Sequence, residues 1–217
     1  MKLKLFLAGL VMSLFAGAAL AEPAPLDSGV DQLARGWDHV RYEVRGKPAQ
    51  IAGYDALATR AAGLARQYPN RAEPLIWQAI ALSTEAGAKG GLGALPLLKS
   101  AKTLLEKAER INAGAMQGSI YTSLGSLFYQ VPGFPVGFGD KDRASAYLKK
   151  ALAANPNGID PNYFYGDFLV QQGQYADAVR VLEHAAAAPA RPGREVGDRG
   201  RRAEVATLLA EARRKAH

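Results

Sequence analysis

The chain has 217 residues, of which 48% are hydrophobic and 22% charged, a composition typical of a folded globular protein that excludes an intrinsically disordered one. It contains no cysteine, which excludes disulfides, thiol catalysis, cysteine-ligated metals and a lipid-anchoring cysteine. The formal net charge is +7, but no aromatic residue follows Tyr175 among the C-terminal arginines, so we expect no nucleic-acid partner.

The first predicted element is a bacterial-type secretory signal peptide at residues 1–21. Lys2 and Lys4 precede an apolar run, and Ala19-Leu20-Ala21 has the small-x-small pattern of a cleavage site. The apolar run is short for a membrane span, which needs about 20 residues. We therefore expect a periplasmic protein that begins near Glu22 and has no stable membrane insertion after cleavage. An uncleaved anchor helix is the alternative.

The next predicted elements are pairs of helices, and the second helix of three successive pairs carries the same small-large-small triplet. The triplets are Ala101-Leu105-Ala108, Ala144-Leu148-Ala151 and Ala178-Leu182-Ala185. Spacings of four and three place each triplet on one helix face, with small residues where a neighbouring helix comes close. The distance from Ala144 to Ala178 is 34 residues, which matches the period of the tetratricopeptide repeat, about 34.

The chain therefore resembles the tetratricopeptide repeat family, most clearly in its last repeat, where Gly173 and Tyr175 form the turn between the helices. The resemblance implies an all-α, tetratricopeptide-like helical-hairpin solenoid that forms a single domain over residues 22–217. The expected repeats are 28–69, 73–113, 117–156 and 160–190, followed by a capping helix at 195–216. In that helix we expect Val205, Leu208 and Leu209 to cover the end of the stack and the arginines to face water.

Two repeats have extra residues between their helices, and these predict long loops on one edge of the stack. The inserted segments are AGAKGGLGALP at 86–96 and VPGFPVGFG at 131–139. Insertions on one face of a repeat array often mark its binding face. The apolar side chains Phe134, Val136 and Phe138 allow two interpretations, since they either fold back onto the helix ends or meet another protein chain.

A narrower resemblance covers residues 131–169, from VPGFPVGFGDKD to NYFYGDFL. This segment is similar to the periplasmic T-component family associated with TRAP transporters. The resemblance implies association with a periplasmic solute-binding protein, and some members of that family form oligomers with a central pore. The chain lacks the cysteine of the lipoprotein members, which favours a free periplasmic adaptor.

The sequence predicts no catalytic residues, no metal site and no cofactor, and hence no enzyme. Its three histidines are His39, His184 and His217, which do not form the cluster that a metal needs. The GGLG segment at 90–93 lacks the Gly-Lys-Ser/Thr ending of a phosphate loop. Binding is the remaining class of function.

In tetratricopeptide stacks the first helix of each pair lines the concave surface, and this resemblance implies the candidate partner- or ligand-binding residues. They are Gln78, Leu82 and Glu85 in the second repeat, Thr122, Ser126 and Tyr129 in the third, and Tyr163, Asp167 and Val170 in the fourth, with Phe134 and Phe138 added from the loop. A protein partner is expected, and a homo-oligomer stays open. The alternatives are a general envelope scaffold or chaperone for extended peptides, and a small-ligand carrier in an oligomer pore.

Overall fold

The computed structural model describes residues 26–216, so the predicted signal peptide and His217 lie outside the described residues. This part of the chain forms nine α-helices joined by turns and short 3-10 segments, with no β-strand. The helices are α1 (Leu26–Tyr42), α2 (Lys47–Gln67), α3 (Glu73–Lys89), α4 (Leu95–Asn112), α5 (Ser119–Gln130), α6 (Lys141–Ala154), α7 (Ile159–Gln171), α8 (Tyr175–Ala186) and α9 (Glu195–Lys215). None of these helices is long and apolar enough to cross a membrane.

Consecutive helices pack as pairs, and the predicted triplets hold the pairs together. All nine triplet residues of α4, α6 and α8 are 0% exposed. Two of the central leucines each lie against a glycine of the preceding helix. A Cβ at Gly125 would lie 2.6 Å from Leu148 Cγ, and a Cβ at Gly166 would lie 2.6 Å from Leu182 Cγ. The two helices of a pair therefore approach more closely than any larger residue would allow.

Only one of the two expected long loops is present in the described residues. In the second pair α3 continues to Lys89 and α4 begins at Leu95, so the extra residues mostly extend the helices. Gly90 and Gly91 end α3 with φ of +68° and +67°, a conformation that other residues rarely adopt. In the third pair a connection of ten residues, 131–140, separates α5 from α6.

The stack of helices closes on itself. Helices α1, α3, α5, α7 and α9 each contact the next in this series, and α9 also packs against α1. The contact between α9 and α1 is close because Gly200 lies against the Tyr42 ring, where a Cβ would be only 2.3 Å from Cδ1. The concave side is therefore the interior of a ring, and the cavity in it is partly open to solvent.

Ion pairs secure the closure between α1 and the segment that leads into α9. Arg194 donates to both oxygens of Asp38, from Nε at 2.5 Å and from Nη2 at 2.7 Å. Asp38 is only 2% exposed, so the pair is shielded from water on the carboxylate side. Glu204 of α9 accepts from Arg41 Nη2 at 2.8 Å and from the Tyr42 hydroxyl at 3.2 Å. These contacts link residues more than 150 positions apart in the sequence.

Candidate functional site

The ring encloses a cavity of about 1230 Å³. Residues of α1, α3, α5, α7 and α9 line it, with a few from α2 and α4 and from the connections at 90–94, 116–117, 131–136, 155–158 and 189–194. The cavity has two chemically different sides. Helices α1, α2, α3 and α5 contribute aromatic, hydroxyl and amide groups, and α7, α9 and the segment before α9 contribute most of the charges.

The neutral side is built around two tryptophans and a tyrosine, Trp37, Trp77 and Tyr54. These are the only tryptophans in the chain. The indole N–H of Trp37 donates to Thr84 Oγ1 at 3.0 Å, and the Thr84 hydroxyl donates to the carbonyl of Ile80 at 2.7 Å. This side therefore offers fixed aromatic surfaces to a bound molecule, because the polar atoms of Trp37 and Thr84 are occupied within the protein.

The charged side carries arginines that are all paired with carboxylates. Arg201 Nε lies 2.8 Å from Asp160 Oδ1 and its Nη1 lies 2.6 Å from Glu204 Oε2. Arg191 bridges Asp160 and Asp198, with Nη1 at 2.7 Å from Asp160 Oδ2 and Nε at 2.6 Å from Asp198 Oδ1. Burial would raise the pKa of Asp160, but the charges of Arg201 and Arg191 outweigh it and hold the pKa below its usual value.

The same network corrects the expectation that the arginines of the last helix face water. Arg201 is only 6% exposed, and its guanidinium lies 4.4 Å from the centre of the Tyr163 ring. Burial would lower the pKa of Arg201, but the effect of Asp160 and the other acidic neighbours is larger and holds the pKa above its usual range. Val205 and Leu209 are buried as predicted, and Arg213, Arg214 and Lys215 do lie at the exposed end of α9.

Four of the predicted binding residues lie together on the cavity wall. They are Thr122 and Ser126 on α5, and Tyr163 and Asp167 on α7. The carboxylate of Asp167 accepts from the Tyr129 hydroxyl at 2.6 Å and from the Gln171 amide at 3.3 Å. Adjacent turns of α5 and α7 thus bring hydroxyl groups and one carboxylate to the same wall.

Other predicted residues do not line the cavity. On α3 the wall consists of Trp77, Ile80 and Thr84, together with neighbours, and not of Gln78, Leu82 and Glu85. Helix α3 packs against α2 on one side and α4 on the other, so only the face between α1 and α5 is left for the cavity.

The predicted residues of α3, α5 and α7 that do not line the cavity lie in the core or in contacts between helices. Leu82 packs in the core. Glu85 is buried and pairs with Lys89 Nζ at 2.5 Å. Tyr129 packs its ring edge against Phe168 between α5 and α7, where burial and Asp167 raise its pKa well above the usual value. Val170 is buried in the core around α8 and α9.

The two predicted phenylalanines of the loop between α5 and α6 have different surroundings. Phe138 packs edge-on against Phe128, with ring centres 6.0 Å apart, and so extends the core. Phe134 is 93% exposed at the loop tip. The base of the loop is fixed, since Gly139 N donates to Pro132 O at 2.9 Å and Asp140 N to Phe128 O at 2.8 Å. The first interpretation is therefore confirmed for Phe138. Phe134 does not fold back onto the helix ends, and its contact with another protein chain stays a prediction.

The sequence prediction missed the residues that α1, α2 and α9 bring to the site. Trp37, Tyr54, Arg194 and Arg201 all line the cavity, but the first repeat is degenerate and the last helix is not a repeat, so no family position indicates them. Among residues 26–216 no group of three histidine, cysteine, aspartate or glutamate side chains is arranged to hold a metal ion.

The fold and the cavity define the class of this protein as an all-α chain with a tetratricopeptide-like helical-repeat fold, as predicted. Residues 136–193, which include α6, α7 and α8, match the tetratricopeptide repeat family. The structure is similar to that of a thermophilic tetratricopeptide repeat protein from Thermus thermophilus, with a TM-score of 0.56. The sequences are 14% identical, over 86% of this chain and 100% of the other.

A second solved structure, that of pilF from Pseudomonas aeruginosa, matches over 86% of this chain and 92% of its own at 14% identity. Its TM-score of 0.37 is too low to support an argument. No curated protein sequence matches the chain. The comparisons thus confirm the fold class, and the narrower resemblance to the T-component family stays a prediction.

Proposed function

We propose that this chain is a non-enzymatic protein-binding module whose cavity accepts a segment of a partner protein. The observation that carries the proposal is the cavity of about 1230 Å³, which the inner helices line with aromatic and hydroxyl groups. Stacked helical repeats form extended concave surfaces that bind other proteins. The exposed Phe134 at the loop tip offers a second contact surface.

The partner in this proposal is the solute-binding protein of a TRAP-type transport system, met in the periplasm. Two features of the sequence support this choice. Residues 1–21 have the pattern of a cleaved secretory signal, and residues 131–169 resemble the T-component family. The fixed base and free tip of the loop at 131–140 are consistent with a preorganised contact in that segment.

The proposal is tested by capture of the partner from the native host. The full chain carries a C-terminal affinity tag, and co-purified proteins are identified and quantified by mass spectrometry. We expect a solute-binding protein in near-stoichiometric amount. Ser126→Trp, which fills the cavity from α5, should abolish its capture, while thermal unfolding confirms that the variant is folded.

Two further variants locate the contact. Phe134→Ser should weaken capture less than Ser126→Trp does, because the cavity carries the main contact. Asp177→Asn, which changes an exposed residue of α8, is the control that should leave capture unchanged. Assorted unfolded envelope proteins in place of one partner would favour a general scaffold for extended peptides. A chain that purifies alone would overturn the proposal.

A further inference from the structure

Two helices on the outside of the ring, α4 and α6, carry a large share of the positive charge. Together they contain eight lysine and arginine residues and three acidic residues, an excess of five, against a net charge of +7 for the whole chain. The corresponding helix of the last pair, α8, contains two acidic residues and one arginine. The excess is therefore a feature of this part of the molecule and not of the repeat.

On α4 the uncompensated cations form one stripe. Lys99, Lys107 and Arg110 are exposed, and spacings of eight and three residues bring them to the helix face opposite the buried triplet. None of the three has an ion-pair partner among residues 26–216, whereas Lys102 of the same helix pairs with Glu106 at 2.6 Å. The stripe therefore presents its charges to solvent.

The two helices lie side by side, and contacts between them occupy the carboxylates of α4. Arg143 Nη2 of α6 lies 4.0 Å from Glu106 Oε1. The Tyr147 hydroxyl of α6 donates to Glu109 Oε2 at 3.3 Å. Both acidic residues of α4 are thus engaged at the junction of the helices and do not neutralise the stripe.

Helix α6 adds three exposed lysines, Lys141, Lys149 and Lys150. Its one acidic residue, Asp142, lies two turns before Lys149, about 10 Å along the helix axis, too far to form an ion pair. The structure thus has a basic outer face, which consists of Lys99, Lys107, Arg110, Lys141, Lys149 and Lys150.

The residue types of this face favour a diffuse anionic surface over a shaped partner. Five of its six cations are lysines, which are depleted at protein–protein interfaces, where arginine and aromatic side chains supply most of the energy. The one aromatic residue of the two helices, Tyr147, stacks on Phe128 within the protein. The face therefore has no aromatic anchor for a protein partner and no platform for stacking nucleic-acid bases.

We infer that the basic outer face binds the anionic surface of a lipid bilayer. Lysine and arginine near such a surface are attracted to its acidic headgroups, and the attraction falls off within a Debye length, about 8 Å at physiological ionic strength. The secretory pattern of residues 1–21, which predicts export, supports a membrane over a nucleic acid as the polyanion that the chain meets. Such binding holds the ring at the membrane and leaves the cavity free, because none of the six cations lines it.

The test is co-sedimentation with lipid vesicles. It uses the protein purified from its native host, with the N-terminus that the host produces, and vesicles of phosphatidylcholine alone or with about one-third phosphatidylglycerol. We expect binding to the anionic vesicles only. The binding should be lost when the salt concentration rises from about 0.1 M to about 1 M, since the Debye length falls from about 10 Å to about 3 Å.

A charge-reversed variant locates the contact. Lys107→Glu combined with Lys149→Glu should weaken binding to the anionic vesicles at least about 10-fold. The matched control combines Arg35→Glu on α1 with Arg214→Glu on α9, which changes the net charge equally away from the face and should weaken binding less than about 3-fold. All four residues are exposed, and thermal unfolding confirms that both variants are folded.

Three results would overturn the inference. They are equal binding to the neutral and the anionic vesicles, no binding to either at about 0.1 M salt, and equal weakening by the two charge-reversed variants. Tighter binding to duplex DNA of random sequence than to the anionic vesicles at the same salt would also overturn it. The capture experiment decides the proposed function separately, because Ser126→Trp changes the cavity and leaves the basic outer face intact.

Discussion

Gly125 shows how one missing side chain sets the spacing of two helices. In an exposed helix position, replacing glycine by alanine stabilises a protein by up to about 1 kcal/mol. At Gly125 the new Cβ would lie 2.6 Å from Leu148 Cγ and 3.2 Å from the Leu148 backbone nitrogen. We therefore expect Gly125→Ala to lower the free energy of unfolding by about 1–2 kcal/mol, measured by urea denaturation.

The matched control is Gly63→Ala in the interior of α2. A Cβ there would meet only the end of the flexible Arg66 side chain, at 3.8 Å. The same substitution should therefore raise the free energy of unfolding by about 0.5–1 kcal/mol. Equal effects at the two positions would mean that helix propensity, and not close packing against Leu148, determines the result.

For single residues, the sequence predicts burial in the core better than it predicts a position on the cavity wall. The triplet Ala144-Leu148-Ala151 is identified by spacing alone, because burial on one helix face depends on local periodicity. The position of Glu85 depends instead on how α3 is rotated between α2 and α4, which is decided by tertiary contacts. A family position shifted by one residue moves a side chain by about 100° around the helix, which is enough to take it off the wall.

Among the elements, the loop at 131–140 makes a prediction about its two phenylalanines. Phe134 is 93% exposed, so Phe134→Ser should change the free energy of unfolding by less than about 0.5 kcal/mol. Phe138 packs against Phe128 and lies 5.9 Å from the Lys102 ammonium, so Phe138→Ser should cost about 1–3 kcal/mol. Thermal and urea unfolding of both variants provide the measurement. A similar loss for both would show that the tip also belongs to the core.

The junction of α7 with α9 predicts a dependence of stability on pH. The pKa of Asp160 is held below its usual value by Arg201 and Arg191, despite burial. The ionised form therefore stabilises the fold above about pH 4, the pKa of an unfolded aspartate, and this stabilisation is lost as the pH falls through the lower native pKa.

The corresponding variant is Asp160→Asn. Its free energy of unfolding at pH 7 should be about 1–3 kcal/mol lower than that of the wild type, and the difference should shrink at pH 3. Urea denaturation at the two pH values is the measurement, and Asp177→Asn, in an exposed pair with Arg180, should stay within about 0.5 kcal/mol of the wild type at both. A difference for Asp160→Asn that does not change with pH would contradict the assigned role of the carboxylate.

For the whole molecule, the closure of the ring is the feature that the sequence could not predict. Helical period, turn residues and the 34-residue spacing are local signals, and they predict the order of the helices. Closure depends on the sum of small rotations between repeats and on pairs such as Asp38 with Arg194, which are 156 residues apart. In a degenerate first repeat, the sequence pattern around a charged residue is the same whether its side chain faces water or a distant helix.

The most direct test of the account is whether α1 and α9 meet in solution, because the ring around the cavity depends on that contact. The chain has no cysteine, so Glu43→Cys and Arg199→Cys, at a pair whose charged atoms lie 3.6 Å apart, can be labelled with pyrene without other changes. The account predicts strong excimer emission from the doubly labelled chain at low concentration, and none from an equimolar mixture of the two singly labelled chains. Monomer emission alone from the folded double variant would show an open stack and contradict the account.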